Sequence, residues 1–245
     1  MSLLRPTLLM AELADEVARG LEQYRQLTPG AKIAVALSGG KDSWTVLTLL
    51  NQLRREGRLS HALLAIHIDL GFDGRDERHR LLEEGCAREN LELVLIQTDV
   101  GPQAVAAPDK RPCFLCVRER RRQLFTAAVQ HGAGLLATGH HRDDVLASFF
   151  LNLLENREIS TLMPRQAVFD GALHLIRPLY TLPEARVQKL VRQQAMPIVD
   201  SGCPVAGATR RARAEDLLSR IDQLFPEGRE ALFTALHRVK PDFLP

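Results

Sequence analysis

Apolar positions along this chain recur in two rhythms, and the alternation between them predicts its architecture. Residues 3–27 place leucine, valine and alanine at helical spacing, interrupted by Glu12, Asp15 and Glu16, which predicts an amphipathic helix. A short apolar run at 32–37 reads as a buried strand, and residues 44–53 as the helix after it. Runs at 61–70 and 91–98 predict a second and a third strand, with a polar helix over 74–90 between them. Residues 101–112 carry glycine and proline and read as a loop. Helical spacing returns over 114–131, followed by a short strand at 134–138 and a helix over 142–156. A fifth strand at 173–176 precedes a helix over 183–194 that opens on proline.

Strand and helix in alternation predict an α/β fold, a doubly wound, mostly parallel, five-stranded sheet with right-handed crossovers. From residue 197 the pattern changes. Ile198 and Val199 suggest a brief strand, residues 201–208 a loop, and 210–224 and 228–238 two further helices. The expected organisation is an N-terminal helical segment (1–30), an α/β domain (31–200) carrying an inserted C-x-x-C helix, and a C-terminal helical appendage (201–245). Ligands of such sheets lie beyond the carboxyl ends of the strands. Three polar clusters fall there: the glycine turn after the first strand, Asp69, and Gly139-His140-His141.

The glycine turn reads Ser38-Gly39-Gly40-Lys41-Asp42-Ser43. A strand that ends in two glycines and then opens a helix aims several backbone N–H groups at one spot, where the helix N-terminus adds partial positive charge. An ordinary capped turn needs only Asp42 or Ser43. Paired glycines with flanking serines and a lysine exceed that requirement and point to a phosphate. The G-x-x-x-x-G-K spacing of a Walker loop is absent. After the fourth strand, Gly139-His140-His141-Arg142-Asp143-Asp144 offers two imidazoles and two carboxylates for a metal or for general-base work.

Composition narrows the classes. Net charge is only +2, so no global field demands a polyanionic partner, yet arginine outnumbers lysine 27 to 5 and suits bidentate phosphate contacts. The chain contains no run of 18 apolar residues, and its N-terminal stretch lacks the continuous apolar core of a signal peptide. A cytoplasmic protein with no membrane association is the expectation.

Of the four cysteines, Cys113 and Cys116 form a C-x-x-C pair, and Cys203 is placed to join them from the loop after Pro197. Cys86 lies on an expected helix beside Leu82 and reads as a small core residue. A structural zinc normally takes four protein ligands, so three thiolates leave zinc, thiol redox chemistry and an iron–sulfur cluster all open. Arg118, Arg120, Arg121 and Arg122 crowd the helix that begins at the cysteine pair, with Arg118, Arg121 and Arg122 on one face. Arg210, Arg211 and Arg213 follow Cys203. Their position beside the cysteines favours contact with an RNA backbone through Arg118, Arg121, Arg122, Arg210 and Arg211.

The residues from 38 to 43 resemble the S-G-G-x-D-S loop of the PP-loop ATP pyrophosphatases. Taken with Cys113, Cys116, the G-H-H-x-D-D stretch from Gly139, Ile176-Arg177-Pro178-Leu179 and Cys203, the chain resembles the tRNA 2-thiocytidine synthetase family over residues 31–241. That resemblance implies an ATP-dependent sulfurtransferase that adenylates the C2 oxygen of a tRNA cytidine and replaces it with sulfur. It implies ATP on Ser38, Gly39, Gly40, Lys41, Asp42, Ser43, His67 and Gly139, with Mg²⁺, and catalytic roles for Lys41, Asp42, Asp143 and Asp144. It also implies a [4Fe–4S] cluster on Cys113, Cys116 and Cys203. The partners on this reading are tRNA and either sulfide or a sulfur-donor protein, and a homodimer is compatible with it. The stretch around Cys203 departs from the family, reading Asp200-Ser201-Gly202-Cys203-Pro204 where a further cysteine and C-G-S are usual. Competing readings are a zinc-containing PP-loop ligase or amidase, a non-catalytic nucleotide- or RNA-binding protein, and sulfur chemistry on a small thio-nucleobase.

Overall fold

The computed structural model describes residues 7–106, 112–204, 210–240 and 242. Six strands form one sheet: β1 (Lys32–Ala36), β2 (Leu63–Asp69), β3 (Glu92–Gln97), β4 (Ala133–Ala137), β5 (Arg165–Val168) and β6 (Leu173–Ile176). Their order is β3-β2-β1-β4-β6-β5, parallel except for β5, which pairs antiparallel with β6. The doubly wound, mostly parallel α/β fold is as expected, with one strand more than the five anticipated. β5 carries the polar sequence Arg-Gln-Ala-Val and is largely exposed at the sheet edge, so no apolar run announces it. β2 is buried at every position, as a strand covered on both faces must be.

Helices α1 (Leu8–Gln23), α2 (Lys41–Arg55), α3 (Arg75–Arg88) and α7 (Glu184–Gln194) cover one face of the sheet. Their core includes Leu13, Leu47, Leu50 and Leu82 against Ile33 and Val35, and Cys86 is buried within it. The other face packs Leu124, Ala127 and Ala128 of α5 (Pro112–Gln130) against Ala34, Ile66 and Leu136. A third cluster joins Val145 and Leu146 of α6 (Arg142–Leu151) to Leu218 of α8 (Arg210–Leu224) and Phe233 of α9 (Gly228–Leu236).

Several local expectations are corrected. Residues 100–106, within the expected loop, form helix α4 (Val100–Ala106); Pro102 sits in its first turn, where a missing N–H costs little, and Gly101 and Ala104 are buried. Residues 107–111, the remainder of that loop, lie outside the described residues. The helix expected over 142–156 is α-helical only to Leu151 and continues as a π-turn over Asn152–Asn156. Ile198 and Val199 form no strand. The Val199 N–H instead donates to the Gly39 carbonyl at 3.1 Å, laying this segment over the glycine turn. Residues 3–6 of the expected first helix and 205–208 of the expected late loop also fall outside the described residues.

Candidate active site

The order of the sheet reverses direction at β1, whose neighbours are β2 and β4, and the glycine turn leaves β1 at that point. Gly39 holds φ +87°, and Gly40 is the N-cap of α2 in extended geometry. Ser38 Oγ accepts the Gly40 N–H at 3.3 Å and lies 3.1 Å from Ser43 Oγ, while Ser43 Oγ donates to the Gly40 carbonyl at 2.9 Å. The serines thus tie the turn together from both ends. Lys41 Nζ meets both Asp42 carboxylate oxygens at 2.9 Å and Glu184 Oε1 at 3.0 Å. Burial pushes the Lys41 ammonium down, but these two carboxylates outweigh it and raise it above its usual range.

Beyond β4, Gly139 presses against the start of α2. A Cβ there would lie 2.9 Å from the Asp42 carbonyl carbon and 3.0 Å from Ser43 N, so only glycine allows this approach. The next residues converge on the same place. His141 is fully buried at the N-cap of α6, and its N–H donates to Asp144 Oδ2 at 2.9 Å. Its two ring nitrogens lack hydrogen-bond partners, although Asp42, Asp143 and Asp144 oxygens lie 3.6–3.7 Å away. Burial holds this imidazole below its usual pKa, against the pull of Asp42 and Asp143.

Both acidic residues of this stretch are engaged. Asp143 Oδ2 accepts the Glu184 N–H at 2.7 Å, and its Oδ1 pairs with Arg229 Nη1 at 2.6 Å. Asp144 pairs with Arg211 from α8. Among the described residues, no group of three or more His, Cys, Asp or Glu side chains is arranged to hold a metal ion. Asp42, Asp143 and Asp144 each face a cation instead, so they do not fit a Mg²⁺ held by the protein alone.

A cavity of about 410 Å³ opens beside the glycine turn, within the range of small-ligand pockets. Ser38 and Gly40 form one wall, and His67 and Asp69 of β2 another. His67 is buried and its Nδ1–H donates to the Leu37 carbonyl at 2.7 Å. Asp69 is committed to structure, with Arg75 Nε at 2.5 Å, His79 Nε2 at 3.0 Å and the Gly71 N–H at 2.9 Å. The far wall comprises Arg120 and Leu124 of α5 and the strap Val199, Asp200 and Ser201.

The cysteines flank this far wall. Cys113 and Cys116 lie in the first turns of α5, two turns and one turn before Arg120, and Cys203 follows the strap. Cys113 is exposed, and Cys116 and Cys203 are half-buried. Burial pushes the Cys116 thiol up, against the pull of the Arg120 charge. Cys86 lies apart in the core, its thiol pushed up by burial to about 12.

The arginines singled out by sequence divide. Arg122 is held by Glu119 at 2.9–3.0 Å, Arg210 by Glu155 at 2.8 Å, and Arg211 by Asp144. Arg118 lies over the Phe114 ring at 5.9 Å, and Arg121 bears on His140 and Arg177. Sequence reasoning missed Glu184, Arg229 and the Val199 strap. An acidic residue in the first turn of a helix is locally unremarkable, and nothing near Glu184 or Arg229 encodes partners 143 and 86 residues away.

A comparison with known families settles the lineage, because the PP-loop domain matches residues 13–202. A tRNA-cytidine(32) 2-sulfurtransferase of Citrifermentans bemidjiense is 32% identical over 95% of this chain and 92% of its own length. The chain belongs to the PP-loop family, in its tRNA 2-thiocytidine synthetase branch. The Cereibacter sphaeroides enzyme of the same name is 33% identical over 96% of this chain and 81% of its own length. Among solved structures, the U34-tRNA thiolase NcsA from Methanococcus maripaludis, with its [4Fe–4S] cluster, superposes with a TM-score of 0.76. It is 22% identical and covers 94% of this chain and 79% of its own, a likeness of fold. Among the described residues of this PP-loop chain, no helix is long and apolar enough to cross a membrane.

Proposed function

We propose that this PP-loop protein is an ATP-dependent tRNA sulfurtransferase that replaces the C2 oxygen of an anticodon-loop cytidine with sulfur. The carrying observation is that the cavity beside the glycine turn is walled by Arg120, one helical turn after Cys116, and by the strap that ends two residues before Cys203. The segments that carry Cys116 and Cys203 therefore border the activating site. The names of the 32–33% identical relatives support the same reaction.

The cavity receives ATP with its phosphates on the Ser38–Ser43 turn, where backbone N–H groups and Lys41 stabilise charge on the departing pyrophosphate. The cytidine C2 oxygen attacks the α-phosphorus; an O–P bond forms as the bridge to the β-phosphate breaks, and pyrophosphate leaves with the electron pair. Sulfide, free or delivered by a donor protein, then attacks C2. The C2–O bond breaks, AMP departs with the former carbonyl oxygen, and the sulfur releases its proton as C2=S forms. No net oxidation occurs. His67 and Gly139 shape the pocket, one by closing its floor and the other by letting β4 approach α2. Lys41, Asp42, Asp143 and Asp144 form the polar edge of the reaction centre. Mg²⁺ enters on the ATP phosphates, consistent with its preference for substrate oxygens over an all-protein cage.

The chemistry of Cys113, Cys116 and Cys203 suits a [4Fe–4S] cluster with one iron lacking a protein thiolate, although their side chains are not gathered round a common metal position in this structure, and Cys86 lies apart in the core. Such a cluster, when bound, supplies an iron position for a sulfur ligand. The RNA face is formed by Arg118, Arg121, Arg122, Arg210 and Arg211; exposed ion pairs such as Arg122 with Glu119 are weak enough to exchange for phosphates.

Mass spectrometry of tRNA nucleosides from cells with and without the gene tests the reading. 2-Thiocytidine should disappear on deletion and return with the wild-type chain. Its persistence in the deletion strain would overturn the proposal. Cys203→Ala should lose iron and thiolation while ATP affinity stays within about twofold, because the cysteine lies beyond the strap rather than on the phosphate turn.

A further inference from the structure

Two arginines line the nucleotide cavity, and they differ in what holds them. Arg78 is buried and spent on the fold: it donates to the Phe72 carbonyl at 2.7 Å and to the Asp73 carbonyl, with Asp69 at 3.7 Å. Arg120 has no ion pair or hydrogen bond among the described residues. Its side chain is exposed to solvent where it lines the cavity. The charged groups bearing on it are Cys116 and Arg121 rather than any carboxylate. A guanidinium that lines a cavity without a carboxylate partner keeps its planar fork of donors available to a bound anion.

Its position specifies which anion. On α5, Arg120 lies four residues after Cys116 and therefore on the same helix face. Its charge acts on the Cys116 thiol on one side and on His67, in the cavity floor, on the other. It thus stands between the cysteines and the nucleotide. The turn from Ser38 to Ser43 lies on the opposite wall, where its N–H groups take the terminal phosphates.

We propose that Arg120 is a further substrate-binding residue, whose guanidinium holds the α-phosphate of the bound nucleotide on the wall that faces the cysteines. The α-phosphorus forms the new bond to oxygen and then leaves as AMP, so a fixed donor pair here serves both steps. This inference rests on the cavity being the ATP site. It also separates Arg120 from Arg118, Arg121 and Arg122, which lie on the helix face read as RNA-binding.

Calorimetric titration of the full chain with ATP, AMP and adenosine, without RNA, tests it in wild type, Arg120→Gln and Arg120→Lys. Arg120→Gln should weaken ATP and AMP by about tenfold or more and leave adenosine within about twofold. Arg120→Lys, which keeps the charge and loses the fork, should recover part of the loss; it carries the test alone if the glutamine variant does not fold. Equal ATP affinity in wild type and variants overturns the proposal. So does a loss shared equally by adenosine, which marks a packing role, or a loss for ATP that AMP escapes, which marks a different phosphate. A wild-type chain that binds neither ATP nor adenosine removes the nucleotide reading itself, and this inference with it.

Discussion

Gly39 holds φ at +87°, and a Cβ built there falls 2.0 Å from Val199 Cγ2, so any side chain must move both the turn and the strap. Gly39→Ala is expected to cost about 1–3 kcal/mol, from positive φ and the clash together. Thermal unfolding should register a loss of several degrees, and ATP titration a loss of affinity. His140 makes a different prediction. Burial, then the nearby Arg177 and Arg211, pushes it down to about 3 from 6.5, so the unfolded chain binds its proton first. Stability should therefore be full above about pH 6.5 and fall as pH drops towards 3. Burial also pushes Asp143 up, but the Glu184 N–H and Arg229 outweigh it and hold the carboxyl low. Its contribution is present above the ordinary carboxylate range and is lost at the acid end. Urea unfolding across pH should show His140→Gln reducing the slope between about pH 6.5 and 3 and leaving the part due to His67 and His141, which burial also pushes down. The glycine turn was legible because its chemistry is local: residues 38–43 are adjacent and follow an apolar strand. The partners of Lys41 and Asp143 were not, since Glu184 and Arg229 reach them only through the fold.

The same limit governs whole elements. Buried strands declared themselves by continuous apolar runs, and β1, β2, β3, β4 and β6 fall where those runs are. The edge strand β5 has an exposed polar sequence, and α4 is a short helix with a glycine and a proline that read as loop signals. Both owe their conformation to neighbours. The docking of α8 and α9 is likewise tertiary, with Arg229 reaching Asp143, Glu215 and Asp222 at 2.6–2.7 Å. Arg229→Met should cost about 3 kcal/mol, because it strands the buried Asp143 carboxylate. Hydrogen exchange should quicken across α8 and α9 and remain slow in β1 and β2. Equal acceleration everywhere would argue against this local role.

Across the whole molecule, a net charge of +2 hides an uneven distribution of cations. Arg118 and Arg121 form no ion pair within 4 Å among the described residues, whereas Arg122, Arg210 and Arg211 each hold one. Replacing Arg118 and Arg121 by alanine should weaken tRNA binding and reduce the slope of log affinity against log salt by about two, measured by filter binding. A smaller change is expected for Arg122 and Arg210, which give up an ion pair to bind. The α/β class was visible in the alternation of apolar runs with helical spacing. The side of α5 on which Arg120 lies was not, because that depends on how the helix is rotated against the sheet.

The hydrogen bond from Val199 to Gly39 joins residues 160 positions apart. The glycine turn leaves the ribosome early, but the segment that lies over it is made only after every strand of the sheet. Asp144 and Asp143 wait longer still, for Arg211 and Arg229. A chain halted or clipped before residue 199 would hold the complete sheet and an unfinished phosphate turn. Nascent chains of increasing length should therefore acquire protease resistance in the sheet before they gain the capacity to retain ATP. Synthesis itself, by its direction, leaves the glycine turn uncovered until the strap has been made.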